Sequence, residues 1–514
     1  MDFVDKLSLG FATCLKIIWV TDPILGITWP IPVTLLICFV GCLIGTLIGV
    51  LPGVGPIATI AMLLPVTYGL PQVDALIMLA GIYYGAQYGG STTAILVNIP
   101  GEATSVITTL DGYQMARQGR AGSALAIAAI GSFIAGTIGT ILIAAIGQPM
   151  TRLALLFGPA DYFSLMVLGL ILVVVLARGS VPKAIAMILV GIMLSTVGVD
   201  LETGDERLTF GWTEISDGID FAVIAMGLFG FAEILKNLDN REARDVVKGK
   251  IGRLMVSGRE FRQCLPPILR GTVLGSMLGI LPGNGAVLGP FASYTLEKKL
   301  AAEPQRFGDG AIEGVAGPES ANNAGAQTAF IPLLALGIPP NAVMALMLGA
   351  MILKGIVPGP EVITKQPALF WGLVASMWIG NLMLLIINLP LIGLWVRLLK
   401  VPYRLLFPAI VLFCGIGIYS IGSNPLDIGL AMAFGFVGYA LLKLGFEPAP
   451  LLLGFVLGRL MEEKLRQALA ISRGDFSTFV TERLSLAFLV IAAIILVVVL
   501  LPSIRKGREK AFTE

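Results

Sequence analysis

The sequence predicts an all-α polytopic membrane protein with about 10–12 transmembrane helices, further re-entrant or broken helices, and two homologous repeats. The first observation is composition: 56% of the 514 residues are hydrophobic and 13% are charged, where soluble domains have roughly 25% charged residues. The second is a mean hydropathy of +0.89, and the third is a glycine motif that occurs twice. Much of the surface is expected to face lipid, because soluble cores stop growing at about 250–300 residues.

The composition also excludes several classes of function. The chain has no histidine, which removes HExxH zinc enzymes, Ser-His-Asp and Cys-His catalysis and histidine-ligated haem. The net charge is only +2, which does not indicate nucleic-acid binding. The five cysteines form no CxxC pair. We therefore expect no enzyme activity, no disulfide framework and no bound cofactor.

Apolar segments long enough, or nearly long enough, to cross about 30 Å of hydrocarbon recur along the whole chain. Several are short or interrupted by Gly-Pro, which predicts half-crossings among the full ones. The segments are 31–50, 73–98, 121–148, 162–177, 183–198, 219–235, 265–281, 319–336, 341–357, 368–396, 405–422, 428–444, 450–460 and 484–502.

The charges between the spans indicate orientation and domain organisation. Segment 236–262 holds eight basic and four acidic residues, and the positive-inside rule places it in the cytoplasm. Segment 200–220 holds seven acidic residues and one arginine, which places it outside. The predicted organisation is an N-terminal transmembrane repeat, 1–235, the basic cytoplasmic linker 236–262, and a C-terminal transmembrane repeat, 263–514.

Each predicted half contains one copy of a glycine-rich segment. VGCLIGTLIGVLPGVGP begins at Val40 and RGTVLGSMLGILPGNGA begins at Arg270. Their five glycines and their Leu-Pro pair coincide at a spacing of 230 residues, which indicates duplication. Glycines at every fourth position let two membrane helices pack closely. We therefore predict helix packing for Gly41–Gly49 and Gly271–Gly279.

The tips of the two copies, 51–56 and 281–286, cannot continue a helix, because proline removes a donor and glycine admits left-handed backbone. Paired breaks in two halves point to the binding site of a secondary transporter, although a plain structural kink is the alternative. Free N–H groups at half-helix N-termini favour a carboxylate, and hydroxyls add donors. The predicted substrate-binding residues are Gly53, Gly55, Ser91, Thr92, Thr93, Gly283, Asn284 and Gly285.

A polar segment follows each tip, at 85–102 and at 317–341, and Asn98-Ile99-Pro100 corresponds to Gly337-Ile338-Pro339. Buried amides and hydroxyls need partners, and unwound carbonyls with asparagine oxygens suit Na⁺. Interhelical hydrogen bonding is the alternative for any single residue. The candidate Na⁺ ligands are Asn98, Pro100, Asn322, Asn323, Thr328 and Gly337.

Two carboxylates lie in these polar segments. We expect Glu102 to be a loop residue that faces water, while Glu319 is open between a cation ligand, a proton site and a loop residue. No arginine or lysine occurs in either segment. A carboxylate substrate is therefore expected to be held by backbone N–H groups, hydroxyls and the bound cation.

In combination, YGGSTTAILVNIPGE, DGYQMARQGRAG, the doubled LPGxG and GPESANNAGAQTAFIPLLALGIPPN resemble the large membrane subunit of the bacterial tripartite tricarboxylate transporters, over roughly residues 1–500. The resemblance implies a multi-pass protein of the bacterial inner membrane that takes up small carboxylates, of the tricarboxylate or dicarboxylate class, by symport driven by an ion gradient. It also implies that the two repeats are inverted. Na⁺ is the expected coupling cation. One departure is Pro339-Pro340, which stands where the first half has Pro100-Gly101 and makes a stiffer turn.

The resemblance also implies two partners, a small four-helix membrane subunit and an extracytoplasmic solute-binding protein; a homodimer stays open. Two other classes of function are weighed against it. A stand-alone anion or cation channel would line its pore with the same half-helices. A membrane enzyme would need a nucleophile with a base or a close pair of acids, and the spans contain no closely spaced Asp pair.

Overall fold

The computed structural model describes residues 2–21, 28–51, 55–176, 180–200, 202–239, 252–283, 285–399 and 403–500. These residues are almost entirely helical, as predicted. Within them, four short strands form two antiparallel hairpins: β1 (Ile18–Thr21) pairs with β2 (Thr28–Ile31), and β3 (Gly198–Val199) pairs with β4 (Glu206–Arg207).

The helices are α1 (Phe3–Cys14), α2 (Val33–Gly49), α3 (Pro56–Leu63), α4 (Gln72–Val97), α5 (Val106–Arg117), α6 (Ala121–Ala154), α7 (Pro159–Leu176), α8 (Val181–Ser195), α9 (Phe221–Ala225), α10 (Ala232–Asp239), α11 (Gly258–Ile280), α12 (Gly285–Leu300), α13 (Glu313–Thr328), α14 (Phe330–Leu336), α15 (Ala342–Leu353), α16 (Pro360–Lys365), α17 (Pro367–Asn388), α18 (Ile392–Leu398), α19 (Tyr403–Gly422), α20 (Pro425–Lys443), α21 (Pro448–Ile471), α22 (Thr478–Thr481) and α23 (Arg483–Leu500). A π-helical turn, Met226–Phe231, joins α9 to α10.

Four helical stretches of the described chain are long and apolar enough to cross a bilayer: α6, α17, α20 and the continuous stretch Phe221–Asp239. Further apolar helices are shorter, among them α2, α8 and α15. This mixture agrees with the predicted combination of full crossings and broken or re-entrant helices.

The glycine segment of each half forms a close helix crossing, as predicted. α2 packs on α4, where a Cβ atom at Gly45 would overlap the carbonyl oxygen of Ile82. In the second half α11 packs on α13, where a Cβ atom at Gly275 would overlap the carbonyl oxygen of Ala321. Gly45 and Gly275 are 230 positions apart, and Ile82 and Ala321 are 239 apart. The duplication is therefore present in the tertiary contacts.

In each half the two crossing helices run parallel. Gly41 packs on Met78 and Gly49 on Ala86, so α2 and α4 begin on the same side of the molecule, and the same order holds for α11 and α13. The chain between two parallel neighbours must return to the side where the first one began. α2 with α3, and α11 with α12, are therefore hairpins that return to the side on which α2 and α11 begin.

The contacts of α6 establish that the halves are inverted. Where α6 begins, Arg120 lies 3.5 Å from Glu260 in the first turn of α11. Where α6 nears its end, Gly147 packs against α17, whose Gly372 lies against Val73 at the start of α4. α11 and α4 thus begin at opposite ends of the same long helix, and the expected inversion is confirmed.

Ion pairs connect the acidic segment 200–220 to the C-terminal half of α21. Arg466 donates hydrogen bonds to Asp200 and Glu202, and Arg207 lies 2.6 Å from Glu462. The hydrogen bond from Arg466 lowers the pKa of Asp200 to about 2. Segment 450–460, whose crossing the sequence leaves open, lies within α21, a continuous helix of 24 residues and thus about 36 Å long.

The predicted linker 236–262 begins inside α10 and ends inside α11. Lys443 at the end of α20 forms an ion pair with Asp239, the last residue of α10. Residues 240–251 lie outside the described chain.

Candidate functional site

The tip of each hairpin contacts the second break of its own half. Gly55, at the start of α3, has a φ of 22° and lies near Gly101, whose carbonyl oxygen would be 3.7 Å from a Cβ atom there. Gly283 has a φ of 95° and donates its N–H to the carbonyl oxygen of Pro340 over 2.7 Å. The predicted irregular backbone is therefore present at both tips. The predicted residues Gly53 and Asn284 lie outside the described residues.

The second breaks have the same backbone in both halves. α4 ends on Asn98 with φ 60° and α14 ends on Gly337 with φ 73°, both in the left-handed region that stops a helix. Four residues later, Glu102 and Asn341 are extended N-cap residues. Asn341 Oδ1 accepts the N–H of Met344 at 2.9 Å. The correspondence between Asn-Ile-Pro and Gly-Ile-Pro is confirmed in the backbone.

Between the breaks lies a cavity of about 500 Å³. The first turns of five helices form part of its wall, with Pro56 of α3, Val106 of α5, Ala286 of α12, Ala342 of α15 and Pro448 of α21. The N-terminus of a helix carries unpaired N–H groups and a partial positive charge. α3 and α21 begin with proline, which offers no N–H at that position, so the free donors come from the residues that follow.

The wall also carries charged side chains that the sequence analysis did not assign to the site. Lys236 lies on it together with Glu102, Glu233 and Glu447. The Nζ atom of Lys236 is 3.0 Å from Glu233 Oε1. The sequence analysis assigned Lys236 only to the basic linker. Its position directly after the apolar span 219–235 was the signal that could have placed it at the site. The expectation of a site without a lysine therefore needs amending.

Glu102 lies in the loop, as expected, but its side chain joins the two halves. Its Oε1 atom accepts hydrogen bonds from Thr104 over 2.5 Å and from Asn322 over 3.4 Å. The hydroxyl of Thr104 also lies 3.2 Å from Gln87 Oε1. The amide of Asn322 is 1% exposed, and its Oδ1 atom has no hydrogen-bond partner among the described residues.

The three predicted hydroxyl residues of α4 are buried and lie outside the lining of this cavity. Thr93 donates to the carbonyl oxygen of Val50 over 3.0 Å at the α2–α4 crossing. Thr92 lies 3.3 Å from the carbonyl oxygen of Tyr88. Of the other predicted substrate residues, Gly55 lines the cavity, and Gly285 packs tightly on Leu278 of α11.

The candidate Na⁺ ligands are distributed over several places. Pro100 lines the cavity, while Asn98 and Gly337 end their helices. Asn323 donates to Ser132 Oγ over 2.7 Å. Thr328 donates to the carbonyl oxygen of Ser276 over 3.0 Å, at the α11–α13 crossing. In the described part of the chain no three Asp, Glu or Cys side chains gather as a metal cluster would require.

Glu319 is a buried carboxylate that connects the two halves. It is 1% exposed on α13 and accepts hydrogen bonds from Ser91 of α4, over 2.6 Å, and from Thr108 of α5. Of the three readings left open for it, the loop residue is excluded, because Glu319 lies inside a helix.

Comparisons with known proteins agree with this architecture. The model of the tripartite tricarboxylate transporter TctA family matches residues 35–453. An uncharacterised 52.8 kDa protein in the TAR-I ttuC′ 3′ region of Agrobacterium vitis is 58% identical over 514 residues, which is 100% of this chain and 99% of that protein. An uncharacterised protein in the TAR-II ttuC′ 3′ region of the same organism is 62% identical over 240 residues, 47% of this chain and 99% of its own length. No solved structure matches the chain.

Proposed function

The chain belongs to the tripartite tricarboxylate transporter TctA family, and from that premise we propose that it takes up small carboxylates by symport driven by an ion gradient, with Na⁺ as the cation. It works in the bacterial inner membrane with a small four-helix membrane subunit and an extracytoplasmic binding protein that delivers the substrate. The substrate is of the tricarboxylate or dicarboxylate class.

The observation that carries this proposal is the cavity of about 500 Å³ walled by five helix N-termini. Its volume suits a small organic molecule, since ligand pockets are typically about 300–1,000 Å³. The helix ends supply N–H donors and partial positive charge, and Lys236 adds a full positive charge. A small carboxylate matches the helix ends and Lys236, while the three glutamates on the same wall favour a cation that enters with it.

The carboxylates on the same wall supply a physical reason for symport. Glu102, Glu233 and Glu447 line the cavity with Lys236, so a multivalent anion entering alone meets repulsion that a cation entering with it offsets. Lys236 is the first residue of the linker that the positive-inside rule places in the cytoplasm. The structure therefore corresponds, in our proposal, to a state whose cavity faces the cytoplasm.

The first experiment is purification of the tagged chain from its native membranes in mild detergent, with mass spectrometry of the proteins that accompany it. We expect a small polytopic subunit in stoichiometric amount. Uptake of labelled di- and tricarboxylates is then measured in proteoliposomes that contain both subunits and the binding protein, with and without an imposed Na⁺ gradient. Uptake at the same rate with and without the Na⁺ gradient would contradict Na⁺ symport. Single-channel currents in the absence of the binding protein would favour a channel.

The role of Lys236 is tested by Lys236→Gln. A hydrogen bond to a charged group contributes about 1.5–3 kcal/mol, so we expect KM for the carboxylate to rise about tenfold or more. The matched control is Lys365→Gln, because Lys365 is exposed and pairs only one helical turn away with Glu361, at 2.7 Å. An unchanged KM in Lys236→Gln would remove this lysine from the substrate site.

A further inference from the structure

We infer that the coupling Na⁺ ion binds in a second, smaller cavity beside Glu319, where α4, α6, α13 and the end of α17 meet. This inference rests on the proposed symport function and names where its cation is held. Of the roles that the sequence leaves open for Glu319 on α13, the site uses that of a cation ligand, and it adds Asn388 of α17. None of the six Na⁺ ligands predicted from the sequence lines this cavity.

The first step of the argument is the charge of Glu319. Its carboxylate is 1% exposed, and its hydrogen bonds come from the hydroxyls of Ser91, at 2.6 Å, and Thr108. No lysine or arginine of the described chain forms an ion pair with it. A buried carboxylate without a positive partner is neutralised by a proton or by a bound cation.

The second step is the space beside it. A cavity of about 20 Å³ adjoins Glu319 and is lined by oxygen-bearing side chains of Ser91, Thr92, Ser132 and Asn388. That volume exceeds the roughly 10–15 Å³ needed to hold one water-sized particle. The cavity therefore has room for one small dehydrated ion.

The third step is an oxygen atom without a partner. Asn388 is 4% exposed, and its amide nitrogen donates to the carbonyl oxygen of Leu384 over 2.9 Å. Its Oδ1 atom has no hydrogen-bond partner in the described part of the chain. An unsatisfied buried acceptor is costly, and together with the carboxylate and the hydroxyl oxygens it offers the oxygen ligands that a hard cation prefers. The rest of the lining is Tyr88 and five apolar residues, Ile95, Leu125, Ala128, Ala129 and Leu389.

The hydroxyl hydrogens of Ser91 and Thr92 are directed at oxygen atoms of the protein. Ser91 donates to Glu319 Oε2, and Thr92 lies 3.3 Å from the carbonyl oxygen of Tyr88. Ser132 Oγ accepts from Asn323 at 2.7 Å. The lone pairs of Ser91 and Thr92 stay available to a cation, and Asn323 holds Ser132 in place.

The location explains how a cation at this site affects the substrate cavity. Ser91 and Thr92 belong to the first half and Glu319 to the second, so an ion here links both halves. Asn322, the third residue after Glu319 on α13, donates to Glu102 on the wall of the large cavity, at 3.4 Å. A shift of α13 on ion binding is therefore transmitted to the substrate site.

The test measures ion binding directly, without substrate. The purified protein is unfolded thermally in increasing NaCl, LiCl or KCl, with choline chloride added to hold the ionic strength constant. We expect Na⁺ and Li⁺ to raise the unfolding temperature in a saturable way and K⁺ to have no specific effect, because a ligand stabilises the state that binds it. An unfolding temperature that changes with pH but not with Na⁺ concentration would overturn the inference and would indicate a protonated Glu319.

Two variants locate the ion. Glu319→Gln keeps the size and the hydrogen-bonding capacity of the side chain but removes its charge, and we expect the Na⁺-dependent rise to disappear. Asn388→Leu removes the unpartnered oxygen, and we expect the half-saturating Na⁺ concentration to increase at least tenfold; it also serves as the test if Glu319→Gln fails to fold. The matched control is Glu313→Gln, because Glu313 begins the same helix and pairs with Arg306 at 2.9 Å, away from the cavity.

A full Na⁺ response in both site variants would refute this location. Transport measurements separate that result from failure of the proposed function. If uptake is driven by Na⁺ and Glu319→Gln leaves it unchanged, the site is wrong and the function stands. If Na⁺ binding requires Glu319 but no carboxylate is carried, the ion site stands and the proposed function fails.

Discussion

The two halves of the chain build the same helix crossing and the same left-handed break, but they carry different side chains on it. α2 and α4 cross through glycines as α11 and α13 do, and Asn98 ends its helix as Gly337 does. The side chains of α4 and α13 differ at corresponding positions. α4, in the first half, has small and aromatic residues where α13, in the second half, has a carboxylate and amides. Positions 239 apart hold Ala80 and Glu319, Tyr83 and Asn322, and Tyr84 and Asn323.

This difference indicates that the backbone was duplicated and the binding chemistry was not. A symmetric pair of sites would require a carboxylate in each half at the same level. The structure instead assembles one carboxylate site from Glu319 of the second half with Ser91 and Thr108 of the first. The repeat supplies matching breaks on the two sides of the cavity, whereas the side chains around it differ between the halves.

The largest expected effect concerns the part that the halves share. Gly45→Ala and Gly275→Ala each place a methyl group against a backbone carbonyl oxygen of the partner helix, and overpacking of this kind costs about 1–3 kcal/mol or more. Thermal unfolding of the purified variants should show equally large losses. Gly415→Ala is the control, because nothing lies within 4 Å of its position, and alanine should gain up to about 1 kcal/mol there. If only one of the two variants lost stability, the two crossings would not be equivalent.

The second prediction exchanges the N-caps that differ in charge. Asn341→Glu adds a carboxylate to the cavity wall and costs the anion about 2 kcal/mol at ~8 Å and an effective dielectric constant of about 20, so KM should rise more than tenfold. Glu102→Asn should lower KM. The double exchange should return KM toward the starting value if the two caps are equivalent.

Uptake kinetics in proteoliposomes measure this exchange, with thermal unfolding as the check on folding. Asn341→Ala is the control for loss of the cap itself, which costs about 1 kcal/mol of stability and should change KM little. Complete loss of uptake in a folded Glu102→Asn protein would contradict the equivalence, since Glu102 would then be required for more than capping.

The smallest expected effect concerns the left-handed residues. A side chain in this conformation costs roughly 1–2 kcal/mol, which asparagine partly avoids. Gly337→Ala should destabilise more than Asn98→Ala, because a Cβ atom at Gly337 would also lie 3.2 Å from the carbonyl group of Pro358. Asn98→Gly should change the unfolding temperature little. Equal losses for both alanine variants would show that the two breaks are packed alike.

Much of the fold follows from the sequence, because its signals act over short distances. The 230-residue repeat of five glycines located both crossings, and Pro-Gly pairs located both hairpin tips. The αL residues Asn98 and Gly337 were recognisable as a matched pair. The candidate site was predicted less completely: Gly55 and Pro100 reach the large cavity, whereas Ser91 and Thr92 line the small one.

Composition and motifs are enough to identify a membrane protein with two copies of a broken-helix unit. Composition acts through exposure to lipid, and glycine spacing and proline position act through backbone preferences within a few residues. These signals can therefore be recognised in the sequence. The positions of Lys236 on the wall of the large cavity and of Glu319 beside Ser91, 228 positions away, become visible in the folded chain alone. Contacts of that kind depend on how two inverted halves fit together, and no local preference specifies that fit.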